Sequence, residues 1–348
     1  MNNSTEENAP ERHNETIKIG QIIEKDYGPE LWLVDKLIPY GGITAIAGDP
    51  GSYKTFLSLE IAKCVAADKP LFGQFKVQAG GVLFLDKENG FRHLQKRLKQ
   101  LGITADLSIQ YMDRAETFML DDTDDFKDLL EIIEREKISL VVFDSLIRFH
   151  SGDENEARSM ARIMNMFKAL CAKGATVVFL HHTRKEGFRA KKSANSMRGS
   201  GDIHAGIDSL LLLNKKEKGS VIIDQAKARW SEEERPFSVN IKNDKEKDTV
   251  EFIYEGEHDS TSEEKEEIKV IIKEQLKENK ELSRQDFLEI LDKDSSTPVI
   301  DKSLNELVES GEMEKRKGAH GKLFFSLKQQ VKVAEAKPAP GASWRKQQ

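Results

Sequence analysis

Residues 48–55 read Gly-Asp-Pro-Gly-Ser-Tyr-Lys-Thr. Glycines, a lysine and a hydroxyl residue at this spacing make a phosphate-binding loop. An apolar strand, Ile43 to Ala47, precedes it, and an apolar helix from Lys54 follows. Loop N–H groups and the helix N-terminus together favour a bound anion. Gly48, Asp49, Pro50, Gly51, Ser52 and Tyr53 would form the cradle. Lys54 would reach the β- and γ-phosphates, and the Thr55 hydroxyl would hold Mg²⁺. The expected ligands are therefore ATP and Mg²⁺. The loop departs from G-x-x-x-x-G-K-S/T at one place, where Tyr53 stands for the second glycine. A helical conformation there would keep the N–H donor and turn only the ring away.

Hydrolysis of a phosphoanhydride also needs a metal partner, a base for water and positive charge for the transition state. Leu-Val-Val-Phe-Asp, ending at Asp144, is a buried strand tipped by an acid and is the expected second metal partner. Glu88 follows the strand Val-Leu-Phe-Leu-Asp, at the strand end that faces the ligand crevice. A carboxylate there can take a proton from attacking water. Asp86, two residues earlier, is its competitor. His181 and His182 end the strand Thr-Val-Val-Phe-Leu. Adjacent strand residues point to opposite faces, so the pair does not suit one metal. One of them, His182 by expectation, can hydrogen-bond a γ-phosphate.

The stretch after the histidines carries Arg184, Lys185, Phe188, Arg189, Lys191, Lys192 and Arg198, with Gly199 and Gly201 for mobility. A flexible basic loop with one aromatic fits single-stranded nucleic acid, through backbone charge and base stacking. An ordinary solvated loop is the alternative.

The chain that must position these groups has 348 residues, 38% hydrophobic and 33% charged, with a net charge of −6. That length suggests about two domains at ~150 residues each. A net acidic chain can contact DNA only through a local patch. Its two cysteines, Cys64 and Cys171, form no C-x-x-C, which fits a reducing compartment. The polar N-terminus lacks an apolar signal core, and no run approaches a membrane span. A cytoplasmic location is expected. Residues 1–16 and 329–348 read as disordered tails. Short apolar strands at 43–47, 82–86, 108–112, 140–144, 176–180 and 209–213 alternate with helical patterns at 55–67, 90–101, 124–136 and 156–173. This predicts an α/β fold with a parallel sheet covered on both faces. Strands at 220–226, 237–241 and 249–254 follow without helices and predict an antiparallel extension. The first domain thus spans 17–255.

Residues 256–263 read as a charged linker to a second domain at 264–328. Thr261 and Glu264, then Ser283 and Asp286, form capping-box patterns. Thr297-Pro298 opens a third helix with proline at its first position. A hairpin with a glycine-flanked turn follows. Three helices and a hairpin in this order suggest a small winged helix. Its third helix carries Asp301, Glu306 and Glu309, which would repel phosphate, while Lys315, Arg316 and Lys317 cluster on the hairpin. DNA binding and protein docking both stay open for this domain.

Together these stretches resemble the RecA-like ATPases, most closely the RepA-like branch related to replicative helicases and KaiC-type proteins. The likeness runs over roughly residues 31–241, and VFLHHTRK followed by RGSGDI is its more specific part. It implies that Glu88 is the catalytic base and that His182 sits at the γ-phosphate sensor. It implies that loops 148–158 and 184–203 face the centre of a ring or filament where DNA passes. DQAKARW matches the lysine-x-arginine pair that enters the neighbouring subunit's site, giving Lys227 and Arg229. The resemblance implies a homo-oligomeric ring, often a hexamer, acting as a helicase or translocase in replication of a plasmid, phage or other mobile element. An ATP-dependent DNA-binding or loading factor, and a KaiC-like regulatory ATPase, are the alternatives.

Overall fold

The structure, a computed structural model, describes residues 17–26, 28–112, 116–183, 201–216, 219–291, 297–318 and 321–328, with backbone alone for 260–264 and 267. The lead-in holds α1 (Ile19–Glu24) and an antiparallel pair, β1 (Trp32–Val34) and β2 (Ile38–Pro39), which the sequence pattern did not resolve. The phosphate loop joins β3 (Ile43–Gly48) to α2 (Lys54–Ala67). Next come β4 (Gly81–Asp86), α3 (Phe91–Gln100), β5 (Ile109–Tyr111), α4 (Thr123–Glu136), β6 (Ile138–Asp144), α5 (Ala157–Ala172) and β7 (Thr176–His182). A short α6 (Gly201–Gly206) leads into β8 (Ser209–Lys215), β9 (Ser220–Ala228), β10 (Phe237–Asp244) and β11 (Thr249–Glu257).

Among the described residues these strands form one sheet in the order β11-β10-β9-β8-β3-β7-β6-β4-β5. The six strands from β8 to β5 run parallel, and β9, β10 and β11 add antiparallel. Alternation along each strand divides the apolar residues between two layers. Ile46, Phe84, Val142 and Leu180 pack under α2 and α3, through Leu57, Ile61, Leu94 and Leu101. Ala45, Leu83, Phe143 and Phe179 pack under α4 and α5, through Leu129, Ile133, Met160 and Phe167. Both faces are dry, which is why the parallel strands read as apolar runs without alternation. The chain-order gap between β3 and its neighbours leaves the ends of β3, β4, β6 and β7 facing one crevice.

Beyond the sheet lie α7 (Ser260–Glu278), β12 (Leu282–Ser283), α8 (Arg284–Leu291), α9 (Thr297–Glu309), β13 (Met313–Lys317) and β14 (Leu323–Leu327). The linker is shorter than the composition suggested. β11 runs to Glu257 and α7 starts at Ser260, so Thr261 lies inside the helix rather than capping it. The polar run is a helix start that the acidic composition disguised. The second capping box does form: Ser283 N donates to Asp286 Oδ2 at 2.7 Å, and Asp286 N donates to Ser283 Oγ at 3.2 Å. The strands pair as β12-β14-β13, and a separate apolar core joins Ile272, Phe287, Leu304, Leu307 and Phe325.

Candidate active site

The loop is tight for a reason visible at Gly48. A Cβ there would lie 2.5 Å from Ser52 Oγ and 2.9 Å from the Leu213 carbonyl. Gly51 holds a φ of +76°. Ser52 Oγ is buried without a hydrogen-bond partner, as fits a cradle built for an added acceptor. Lys54 Nζ donates to the carbonyls of Gly48 and Asp49, both at 2.9 Å. Tyr53 corrects one expectation. Its backbone is left-handed, φ 67° and ψ 18°, not helical. This is the conformation for which the common pattern carries glycine. Its ring stands edge-on to Phe56 at 6.3 Å, with Lys215 Nζ 5.2 Å from its centre. These contacts oppose a backbone cost of roughly 1–2 kcal/mol.

Thr55 Oγ1 donates to Asp144 Oδ2 at 2.7 Å. Asp144 ends β6 and lies in register with Asp86 at the end of β4, and both are buried. Burial first, then the neighbouring Asp86 carboxylate, pushes Asp144 up to about 7, while the Thr55 hydroxyl pulls the other way. Burial likewise raises Asp86. Two buried carboxylates beside a hydroxyl suit a hard cation with oxygen ligands. The Thr55 hydroxyl and the Asp144 carboxylate, already in contact beside the phosphate loop, fit a Mg²⁺ ion.

Asp86 and Glu88 have separate jobs. Asp86 Oδ1 accepts from the backbones of Glu88 at 2.7 Å and Asn89 at 2.9 Å, and its Oδ2 accepts from Asn89 Nδ2 at 2.9 Å. It shapes the loop. Glu88 reaches outward, and its Oε1 accepts from Ser145 Oγ at 2.6 Å. His182 lies in register with Gly48 on the adjoining β3, whereas His181 is buried against Phe179. Thr183 donates from its hydroxyl to Asp49, tying β7 to the phosphate loop.

Lys227 and Arg229 sit at the far end of the sheet. Lys227 Nζ donates to the His204 carbonyl and Arg229 Nη2 to the Ala205 carbonyl, at the C-terminal end of α6. Arg229 also pairs with Asp208 at 3.2 Å, and Asp208 in turn accepts from the backbone of Ile43 at 2.9 Å. Ile43 starts β3 and Gly48 ends it. A strand of that length separates its two ends by about 17 Å.

Sequence reasoning missed Ser145 and Thr183, each next to a named residue in the chain, and Asp208, which only the fold brings to Arg229. It also missed Arg97, whose guanidinium lies 5.4 Å from the Phe56 ring centre. Arg97 is close enough to oppose, in small part, the rise that burial imposes on Asp86 and Asp144. Helical spacing gave no signal for it. Arg184, Lys185, Phe188, Arg189, Lys191, Lys192 and Arg198 lie outside the described residues. On the hairpin, Lys315 and Lys317 are exposed, but Arg316 is engaged: it forks onto Glu281 and stacks 5.1 Å from Phe324. Two of the three acids of α9 are also matched, Asp301 by Arg284 and Glu306 by Lys265 and Lys269.

A glycine loop ending in Lys54 and Thr55, with an acid-tipped strand one place removed in the sheet, defines a P-loop ATPase domain of the RecA-like kind. Residues 15–187 match the family model described as an AAA domain. Two solved structures are similar in fold. An ATPase domain is 15% identical at a TM-score of 0.49, covering 68% of this chain and 95% of that one. A DnaB-like replicative helicase, described with its interactions with primase, is 17% identical at a TM-score of 0.49, covering 68% of this chain and 64% of that one. No helix among the described residues is long and apolar enough to cross a membrane.

Proposed function

We propose that this chain is a Mg²⁺-dependent ATPase that assembles head to tail and works on DNA, as a ring-forming helicase or translocase of the RepA-like kind. The observation that carries the reading is the separation of two half-sites. Lys54, Thr55, Asp144 and Glu88 gather at one end of the parallel strands. Lys227 and Arg229 are fixed at the other. An arginine anchored at the start of β3 cannot serve the phosphates at its end, so it serves a second copy. A head-to-tail contact of this sort closes into a ring when the rotation closes.

In this reading Thr55 and Asp144 would hold the metal, which would supply positive charge beside the phosphates. Lys54 leaves its loop carbonyls for the β- and γ-phosphates. Glu88, steadied by Ser145, takes the proton of the attacking water as its oxygen bonds to the γ-phosphorus and the bond to the ADP oxygen breaks. His182 faces the γ-phosphate from β7. Arg229 and Lys227 of the neighbour stabilise the equatorial oxygens. The basic stretch 184–198 would carry single-stranded DNA, and the system served would be replication of a plasmid, phage or mobile element.

The C-terminal unit, 264–328, has the helix and strand order of a winged helix. Arg316 is engaged by Glu281 and α9 keeps the exposed Glu309, which favours protein docking over duplex reading. The decisive experiment is ATP hydrolysis with and without single-stranded DNA, beside mass measurement in solution and unwinding of a forked duplex. DNA-stimulated hydrolysis by an oligomer with unwinding is expected. Stimulation without unwinding would indicate a loading factor. Hydrolysis indifferent to DNA would indicate a regulatory ATPase and overturn the DNA reading.

A further inference from the structure

Two aromatic side chains lie in water beside the two half-sites. Trp230 follows Arg229 and is 51% exposed. Phe91 lies three residues after Glu88 and is 60% exposed. A single exposed apolar residue is ordinary. What distinguishes these two is their position and rigidity. Arg229 N donates to the Asp208 carbonyl at 2.8 Å, and Glu234 N donates to Gln225 Oε1 at 2.7 Å. The segment bearing Trp230 is thus held at both sides while its indole stays bare. Phe91 packs 5.4 Å from the Tyr111 ring. With Arg92, Leu94, Gln95 and Leu98 these rings line an open groove of about 440 Å³. Tyr111 is tied to the catalytic end by its hydroxyl, which donates to the Asp86 carbonyl at 2.8 Å.

We infer that Trp230 of one copy docks in the Phe91–Tyr111 groove of the next, as the aromatic anchor of the contact that assembles the ATP site. The inference rests on the in-trans reading of Arg229. One approach satisfies both requirements. Bringing Arg229 to a nucleotide beside the neighbour's Glu88 carries the next residue, Trp230, toward the groove that opens just after Glu88. The chemistry also matches. An indole buries about 150–250 Å² and prefers edge or offset contact with other rings. Arg92 on the groove rim can lie over its face. Aromatic anchors beside arginine are the usual composition of a contact's energetic centre.

The test uses the full-length chain with ATP and a short bis-maleimide. Phe91→Cys protein mixed with Trp230→Cys protein should yield a covalent dimer that neither variant yields alone and that wild type, with Cys64 and Cys171, does not yield. Trp230→Ala and Phe91→Ala should each weaken assembly about tenfold, read from mass against concentration, and the double variant should be no worse than either. ATP binding by Trp230→Ala shows that the variant is folded. If mixed cysteine proteins assemble without cross-linking, or if Trp230→Ala assembles at wild-type concentrations while Arg229→Ala is still rescued by mixing, the docking is wrong and the trans site stands. A fully active monomer at every concentration would remove both.

Discussion

At the level of single residues, the two acids at the C-terminal end of β4 part company because of what surrounds them. Asp86 spends both oxygens on the turn, and Glu88 keeps one oxygen free of Ser145. Lys54→Ala should abolish nucleotide binding, by removing the point charge on the phosphates. Glu88→Gln should bind ATP and lose turnover, because an amide cannot take a proton. Hydrolysis by that variant within about threefold of wild type, roughly 0.65 kcal/mol in barrier, would rule Glu88 out as base. Asp144 adds a pH dependence. Its folded-state pKa, about 7, lies above the unfolded value, so the folded chain binds the proton more tightly. Without metal, this group's contribution to stability is present below about pH 4 and lost as pH rises through about 7. Metal binding runs the other way, since the proton must leave first. Mg²⁺-dependent ATP affinity should fall about tenfold per pH unit below the folded pKa. A titration giving the same affinity at acid and neutral pH would sink this role for Asp144.

At the level of elements, β9 and α6 share a joint. Lys227 and Arg229 hold the last carbonyls of α6, so Arg229→Ala removes a structural contact as well as a charge. Mixing separates the two effects. Arg229→Ala should bind ATP but be nearly inactive alone, since a supplied arginine is worth about 10³–10⁵ in rate. Added Lys54→Ala protein should restore activity, because its intact Arg229 can enter the competent site. A mixture that forms mixed oligomers and stays inactive would leave only the structural role. The stretch preceding α6 carries the second element-scale expectation. Neutralising Arg189, Lys191 and Lys192 together should weaken single-stranded DNA binding and flatten its salt dependence. Basal hydrolysis should change little. Equal loss of both would place the stretch at the nucleotide instead.

At the level of the whole molecule, among the described residues the two apolar cores on the sheet share no residue with the core beyond Ser260. A chain ending at Asp259 should therefore fold and retain basal ATP hydrolysis, measured against full length at matched concentration. If the C-terminal unit docks protein, DNA-stimulated hydrolysis should also survive the truncation. Loss of DNA affinity with basal turnover intact would return Lys315 and Lys317 to a DNA role.

The sequence by itself determined the sheet and the chemistry at its loop. Short apolar runs, rich in β-branched and aromatic residues and alternating with helical patterns, read as strands buried on both faces, and a glycine loop between strand and helix has few other uses. Sequence spacing named Lys54, Thr55, Asp144 and Glu88 because each ends or follows such a run. It preferred Glu88 to Asp86 and His182 to His181 by position alone, since neighbours in sequence differ only in which partners surround them. It misjudged Tyr53, because a backbone angle is a property of the closed loop and not of the residue type. Tertiary structure alone decided where Arg229 stands. Antiparallel return of β9 along β8 carries it back to the start of β3, and no local pattern records how far a strand has travelled from the loop it once followed.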